Sequence, residues 1–327
     1  MSPPSFKPTD IPNLAGRVFF ITGGTLVMSS LRQSTNWSPG TAGLGAGSIS
    51  LLAAKGPAHI YFSGRNSKRA EELIAKVNGV NPDVPISFIA CDLADLSSVR
   101  QAAEQFLAKS ERLDVFYANA GVMALDAAVT KDGYEVQFAT NHIGHALLIK
   151  LLLPLMLRTA ELPGSDVRII NMASTAYKTA PGEGIAFGSL KTNQDGLRGM
   201  IGGKWTRYGQ SKLANILYAR ELAKRYPSIK TVSVHPGYIK TDIFSGVSFL
   251  TALPVRLGVM LGSAWTPVEE GPYNQTWAGT TARENLEDGA HYVPIAKKGS
   301  LDTKQARDDA LAEKLWDWTQ KELEAFL

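Results

Sequence analysis

The hydrophobic pattern alternates between two periods along most of the chain. RVFFIT, from Arg17 to Thr22, is a short β-branched and aromatic run closed by glycine. A strand that is apolar throughout suits a sheet covered by helices on both faces. AGLGAGSISLLAAKG (Ala42 to Gly56) follows as a small-residue helix, stopped by Gly56 and Pro57. The alternation continues with strand HIYFSG, helix SKRAEELIAKV, strand PISFIACD, helix LSSVRQAAEQFLAK and strand LDVFYANAG. A long helix from about Asp132 to Arg158, strand DVRIINMAS, helix RYGQSKLANILYARELAKRY and strand TVSVHPG complete it. Strands alternating with helices predict a doubly wound parallel sheet of about seven strands with right-handed crossovers. No linker divides the chain, so residues 17–327 are expected to form one α/β domain after an N-terminal tail, 1–16.

Some stretches depart from this pattern. Tyr177 to Thr206 is glycine-rich and reads as a loop. Ile243 to Thr266 is apolar but broken by Gly246, Pro254, Gly258 and Gly262, which suits a flap over a pocket. A charged amphipathic helix, about Thr303 to Phe326, closes the chain. The most unusual departure lies between the first strand and the first helix. ITGG and TAGLG are separated by 16 residues, Thr25 to Gly40, a largely polar stretch with Ser, Asn, Trp and Pro and without a period.

Composition narrows the function classes. Charged residues make up 20% of the chain, and 34 basic against 30 acidic residues give a formal charge of +4 without long runs. A nucleic-acid binder concentrates its basic residues on one stripe, so no nucleic-acid partner is expected. The single cysteine, Cys91, excludes an intrachain disulfide and points to a reducing, cytoplasmic setting. The proline-rich start, MSPPSFKPTDIPNL, has no apolar core and is not read as a secretory signal. Lys150 and Pro154 interrupt the apolar run Ile143 to Leu157, and Pro254 and Arg256 interrupt Val247 to Ala264. Neither is an uninterrupted 20-residue span, and no stable membrane span is expected.

Candidate chemistry centres on YGQSK, Tyr208 to Lys212. Four residues apart on a helix, Tyr208 and Lys212 share one face. A free phenol has a pKa of about 10, and a neighbouring cation lowers it toward a useful general acid or base. Ser174 ends a strand at the carboxyl edge, where open α/β sheets bind ligands. ANAG (Ala118 to Gly121) ends another strand with small residues that let a cofactor lie against the backbone. Asn141 lies in NHIG, CDL (Cys91 to Leu93) ends a further strand, and HPGYIKTD turns sharply after the last. His142 and His145 lack an evident third ligand, so no metal site is expected. Asn36-Trp-Ser and Asn274-Gln-Thr match glycosylation sequons but carry no weight without a secretory signal.

In this order and on these elements, the motifs resemble those of the short-chain dehydrogenase/reductase family over roughly Arg17 to Val293. The resemblance implies a Rossmann fold and a hydride-transfer oxidoreductase. It makes Tyr208 the proton donor to the substrate carbonyl and has Lys212 lower the Tyr208 pKa and bond the nicotinamide ribose. Ser174 would polarise the carbonyl, and Asn141 would hold a water linking Lys212 to solvent. Thr22, Gly23, Gly43, Leu44 and Gly45 would form the pyrophosphate loop. Asp92 and Leu93 would meet the adenine, and Asn119 and Gly121 would line the cofactor path. Pro236, Gly237 and Thr241 would reach the carboxamide or pyrophosphate. Assembly as a homodimer or homotetramer is expected.

YFSGRN ends the second strand without the carboxylate that would bond a ribose 2′-hydroxyl. Arg65, beside Asn66, is placed instead to pair with a 2′-phosphate, which predicts NADP(H). The apolar flap favours a lipophilic ketone, aldehyde or alcohol as substrate. Ser174 and Tyr208 stand 34 residues apart, which makes 177–206 an insertion beside the site, in the style of retinol-dehydrogenase-like members. Deleting Thr25 to Gly40 restores TGGTAGLG, the family's glycine spacing. The insert therefore reads as an in-frame retained intron or gene-model error. With the loop interrupted, the alternative is a catalytically silent nucleotide-binding protein of the same fold.

Overall fold

A computed structural model of the chain describes residues 6–24, 43–199, 202–239 and 265–327. Thr241, the insert and residues 243–264 of the expected flap lie outside the described residues.

Eight strands form one sheet in the order β10-β9-β6-β5-β4-β1-β2-β3. They are β1 (Val18–Thr22), β2 (His59–Gly64), β3 (Ile86–Ala90), β4 (Val115–Ala118), β5 (Arg168–Met172), β6 (Lys230–Val234), β9 (His291–Val293) and β10 (Lys297–Lys298). Every pairing is parallel except that of β10 with β9. Strands β7 (Tyr238–Ile239) and β8 (Trp265–Thr266) form a separate parallel pair. The six strands placed from the sequence are present, β9 makes the seventh parallel strand of the about seven expected, and a short antiparallel one is added at the edge.

The order reverses at β1, which pairs with β2 on one side and β4 on the other. The helices that connect β1 to β2 and β2 to β3 therefore pack on one face and those that follow β3, β4 and β5 on the other, which opens a crevice at the carboxyl ends of β1 and β4. All five residues of β1 are buried, and its side chains alternate between two cores. Phe20 joins Phe106, Phe116, Leu147 and Leu217 on one face. Phe19 and Ile21 join Ile49, Phe62 and Trp277 on the other. A continuous apolar run is the only pattern that fills both layers.

The helices follow their apolar stripes. In α1 (Gly43–Ala53), Ile49, Leu52 and Ala53 face the sheet. In α2 (Ser67–Val80), Ala70, Leu73 and Val77 are buried, and Asn66 caps the start by accepting from the Arg69 N–H at 3.0 Å. Asp95 caps α3 (Leu96–Leu107) in the same way, at 3.1 Å from the Ser98 N–H. The long helix, α4, runs from Val136 to Ala160 with a π turn at Ala139–Ile143 and Pro154 inside it. By length and composition α4 could cross a membrane, but 61% of its most apolar window is buried within this fold. Leu147, Leu148 and Leu152 are fully covered, and truncating one of them to alanine costs about 2–5 kcal/mol.

Three expectations need correction, and one helix was not foreseen. The N-terminal tail is packed from residue 6 on, because Phe6, Ile11 and Leu14 are buried against the β1–α1 layer. The loop 177–206 gives way to helix at Gly203, so α5 (Gly203–Arg225) begins one turn before Tyr208. The closing helix is broken at Asp308, whose side chain caps α8 (Asp309–Leu323) after the single turn α7 (Lys304–Arg307). An unforeseen helix, α6 (Tyr273–Thr280), is buried almost all round, so its polar sequence gives no amphipathic signal.

Candidate active site

Each residue of Tyr208–Lys212 has a separate structural task. Ser174 is the side chain that acts on the Tyr208 hydroxyl, favouring its ionised form. Gly209 lets the turn after Ser174 press against α5: a Cβ there would lie 2.5 Å from the Ala176 carbonyl. That approach is what brings Ser174, the cap of the turn Thr175–Thr179, to the phenol. Gln210 accepts from the Ala186 N–H at 2.8 Å and donates to Gln194 Oε1 at 3.0 Å, holding the 177–206 loop. Ser211 donates to the Tyr208 carbonyl at 2.7 Å and accepts from Asn141 Nδ2 at 2.9 Å. Lys212 donates from Nζ to the Met172 carbonyl at 3.0 Å.

Burial dominates the electrostatics. It pushes the Tyr208 phenol up to about 12, against the opposing hydrogen bond from Ser174. It also pushes Lys212 down to about 8. The expectation that Lys212 lowers the Tyr208 pKa is not met. The Lys212 ammonium lies 5.7 Å from the ring centroid and is directed at Met172, and the apolar surroundings disfavour both charged forms. Tyr208 is therefore held as the neutral, proton-bearing phenol. Its ring meets Trp205 edge-on at 6.0 Å in a cluster with Ala124, flanked by Met123 and Ala176.

Asn141 occupies the π turn and is fully buried. Its Nδ2 donates to the Val122 carbonyl at 2.9 Å as well as to Ser211, and its Oδ1 accepts the Val122 N–H at 2.8 Å. The side chain thus holds protein backbone on both sides. Asn141 Oδ1 and Lys212 Nζ nevertheless converge, since a Cβ on Gly121 would lie 3.0 Å from one and 3.4 Å from the other.

The two halves of the glycine loop meet. Gly23 turns the chain at φ +82°, and its N–H and that of Gly24 both bond the Ser63 carbonyl, at 2.9 and 3.1 Å. A Cβ on Gly45 would stand 2.7 Å from the Gly23 carbonyl and 2.8 Å from Asn119 Nδ2. Gly43 opens α1, and Leu44 is anchored through its carbonyl by Gln275 at 3.3 Å. Asn119 donates from Nδ2 to the Thr22 carbonyl at 2.7 Å, while its buried Oδ1 has no hydrogen-bond partner among the described residues. A helix N-terminus beside a bare glycine turn and an orphaned acceptor is a cradle that fits a dinucleotide.

The remaining expected residues surround this cradle. Asp92 is half-buried and accepts from the Ala94 N–H at 3.0 Å, and buried Leu93 packs its carbonyl on Gly144. Arg65 is exposed at the end of β2, and Asn66 is committed to capping α2. Pro236 and Gly237 follow β6, with Gly237 at φ +105° against Thr266.

Sequence reasoning missed the support of this site. Gln275 and Thr276 on α6 bond Ser48 Oγ at 2.7 and 3.0 Å, fixing the start of α1. The sequon residue Asn274 is buried and donates to the His235 carbonyl at 2.7 Å, so it cannot accept a glycan. Polar residues at positions of full burial were the available signal, and it needs the tertiary contacts to be read.

Comparisons with known proteins agree with this geometry. The family described as short chain dehydrogenase matches residues 39–199. An uncharacterized oxidoreductase of Schizosaccharomyces pombe is 37% identical, with 98% of this chain and 89% of the relative covered. The short-chain dehydrogenase/reductase drtF of Aspergillus calidoustus is 32% identical, with 97% and 96% covered. Among solved structures, a blue fluorescent protein from a metagenomic library, in complex with NADPH, is similar at a TM-score of 0.61 and 25% identity. That match covers 87% of this chain and 98% of the other.

Proposed function

Because the chain belongs to the short-chain dehydrogenase/reductase family, we propose that it is an NADP(H)-dependent oxidoreductase that reduces a lipophilic ketone or aldehyde, or oxidises the corresponding alcohol. The observation that carries the reading is the buried Tyr208 phenol, acted on by Ser174, backed by Lys212 and set beside an apolar wall.

NADPH, when bound, supplies the hydride for the carbonyl carbon. Gly23, Gly43, Leu44 and Gly45 would hold its pyrophosphate at the start of α1, with Thr22, Asn119 and Gly121 beneath. Asp92 and Leu93 would border the adenine, and Pro236, Gly237 and Thr241 the nicotinamide end. Arg65 would pair with the 2′-phosphate, because Ser63 and Gly64 offer no carboxylate to repel it. The NADPH in the metagenomic neighbour supports the same cofactor.

The chain's own residues handle the proton. Tyr208, neutral in its buried position, donates the phenolic proton to the carbonyl oxygen. Ser174 offers a hydroxyl to the same oxygen and orients it. Lys212, with its pKa near neutrality, returns a proton toward Tyr208 from the opening at Gly121, where Asn141 Oδ1 also converges. Trp205, Met123, Ala124 and Ala176 exclude water and favour an apolar substrate.

A panel of lipophilic ketones and aldehydes, followed by NADPH oxidation, tests the reading. Tyr208→Phe is expected to lower kcat by about 10²–10⁴-fold with NADPH affinity kept. Turnover confined to small polar sugars would refute the substrate class. NADPH binding without turnover by the unaltered chain would favour the second reading, a silent nucleotide-binding protein, which the interrupted loop motivates.

A further inference from the structure

His145 faces the protein interior from α4, one turn beyond Asn141, and is 2% exposed. Its Nδ1 lies 3.0 Å from the Asn141 main-chain carbonyl. A carbonyl can only accept, so Nδ1 carries the proton. Burial, which outweighs the bond to Asn141, pushes the ring down to about 4, so it is neutral and Nε2 is bare. Nε2 lies 2.8 Å from Thr22 Oγ1.

Thr22 has one hydroxyl proton and two lone pairs. The Asn119 N–H at 2.9 Å and the Ala120 N–H at 3.0 Å both donate to Oγ1. The proton is then offered to Nε2, with the Tyr117 carbonyl at 3.2 Å as the longer alternative. Were Nε2 protonated, three donors would converge on Oγ1 and one backbone amide would lose its partner. The pattern is satisfied by one tautomer alone.

The segment 119–122 is thereby held at both ends. Thr22 Oγ1 takes its first two amides, and the Asn141 side chain takes both backbone groups of Val122. His145 joins these two anchors. His142 differs: its Nε2 lies 3.0 Å from Thr319 Oγ1 and ties α4 to α8.

We infer that His145 is a positioning residue which, as the Nδ1–H tautomer, orients the Thr22 hydroxyl and so fixes the Asn119–Gly121 floor relative to Asn141. The functional part of this inference rests on the reading of that floor as the cofactor path.

Ring ¹⁵N spectroscopy of the full chain without cofactor tests the tautomer: Nδ1 is expected protonated and Nε2 bare. An Nε2–H tautomer or an imidazolium at neutral pH overturns the proposal. Amide exchange at Asn119 and Ala120 is expected to quicken by about tenfold or more in His145→Phe and in Thr22→Val, and to recover in Thr22→Ser. NADPH Kd is expected to rise about tenfold in either single variant. The double variant should be no worse than Thr22→Val alone, because Thr22→Val already removes the bond that His145 makes to Oγ1. Additive effects, or a lower Tm with unchanged exchange and Kd, overturn it. If the unaltered chain binds no NADPH, the proposed function fails, while the ring spectrum and amide exchange still decide this inference.

Discussion

Gly45 stands directly against the carbonyl of Gly23, close enough that a single methyl group would part them. The two glycines come from opposite sides of the insert, so the proposed pyrophosphate cradle has its two halves in contact although the chain between them is long. Loop length by itself costs little, since closure entropy grows only with its logarithm.

Two variants follow from that contact. Removing Thr25–Gly40 restores the short loop and is expected to leave NADPH affinity equal or tighter. Gly45→Ala is expected to weaken NADPH binding by about tenfold or more, because the methyl group displaces the Gly23 turn. Titration of both against the unaltered chain checks this, and tight binding by Gly45→Ala would contradict the assigned cradle. The proposal that the insert is a retained intron is tested at the gene, where a coding segment without GT and AG ends argues against it.

Cofactor choice is assigned to Arg65, which lies exposed at the end of β2. Arg65→Glu replaces a phosphate partner with a carboxylate that bonds a ribose hydroxyl and repels phosphate. The NADPH-over-NADH ratio of kcat/KM is expected to fall by about 10–100-fold. An unchanged ratio would sink the assignment.

Lys212 carries a stability cost. Its pKa falls from the ordinary 10.5 to about 8 in the fold. Between those values the unfolded chain binds more protons, so stability rises with pH through that window. Below pH 8 the penalty is complete, about 3 kcal/mol before the bond to Met172 offsets about 1 kcal/mol of it. Lys212→Met is therefore expected to stabilise the cofactor-free chain by about 2 kcal/mol at pH 7 while abolishing turnover. The gain should fade as pH approaches 10.5. Urea melts at the two pH values check this, and equal destabilisation at both would contradict it.

Histidine burial predicts acid lability. His142 and His235 are held down to about 3, and His145 and His291 to about 4. Between pH 6.5 and these values the unfolded chain takes up protons that the fold refuses, so stability falls as pH drops. Melting temperatures measured from pH 7 to pH 4 should decline steeply. A flat profile would count against neutral, buried rings.

The sequence alone determined the sheet's central strands and the two cores of β1, and its motifs singled out Tyr208, Lys212, Ser174 and Asn141 for the proposed site. Period and motif spacing are local properties, and local properties survive in a linear string. Full burial erases that signal, which is why α6 and its Gln275 were not legible. Two further matters were decided by the tertiary structure. It set the Tyr208 phenol and the Lys212 ammonium in apolar surroundings, reversing the expected direction for the phenol, because desolvation depends on every neighbour and not on spacing. It also brought Thr22, His145 and Asn141 into one hydrogen-bond pattern. That meeting depends on strand order and the π turn, and no stretch of the linear sequence contains it.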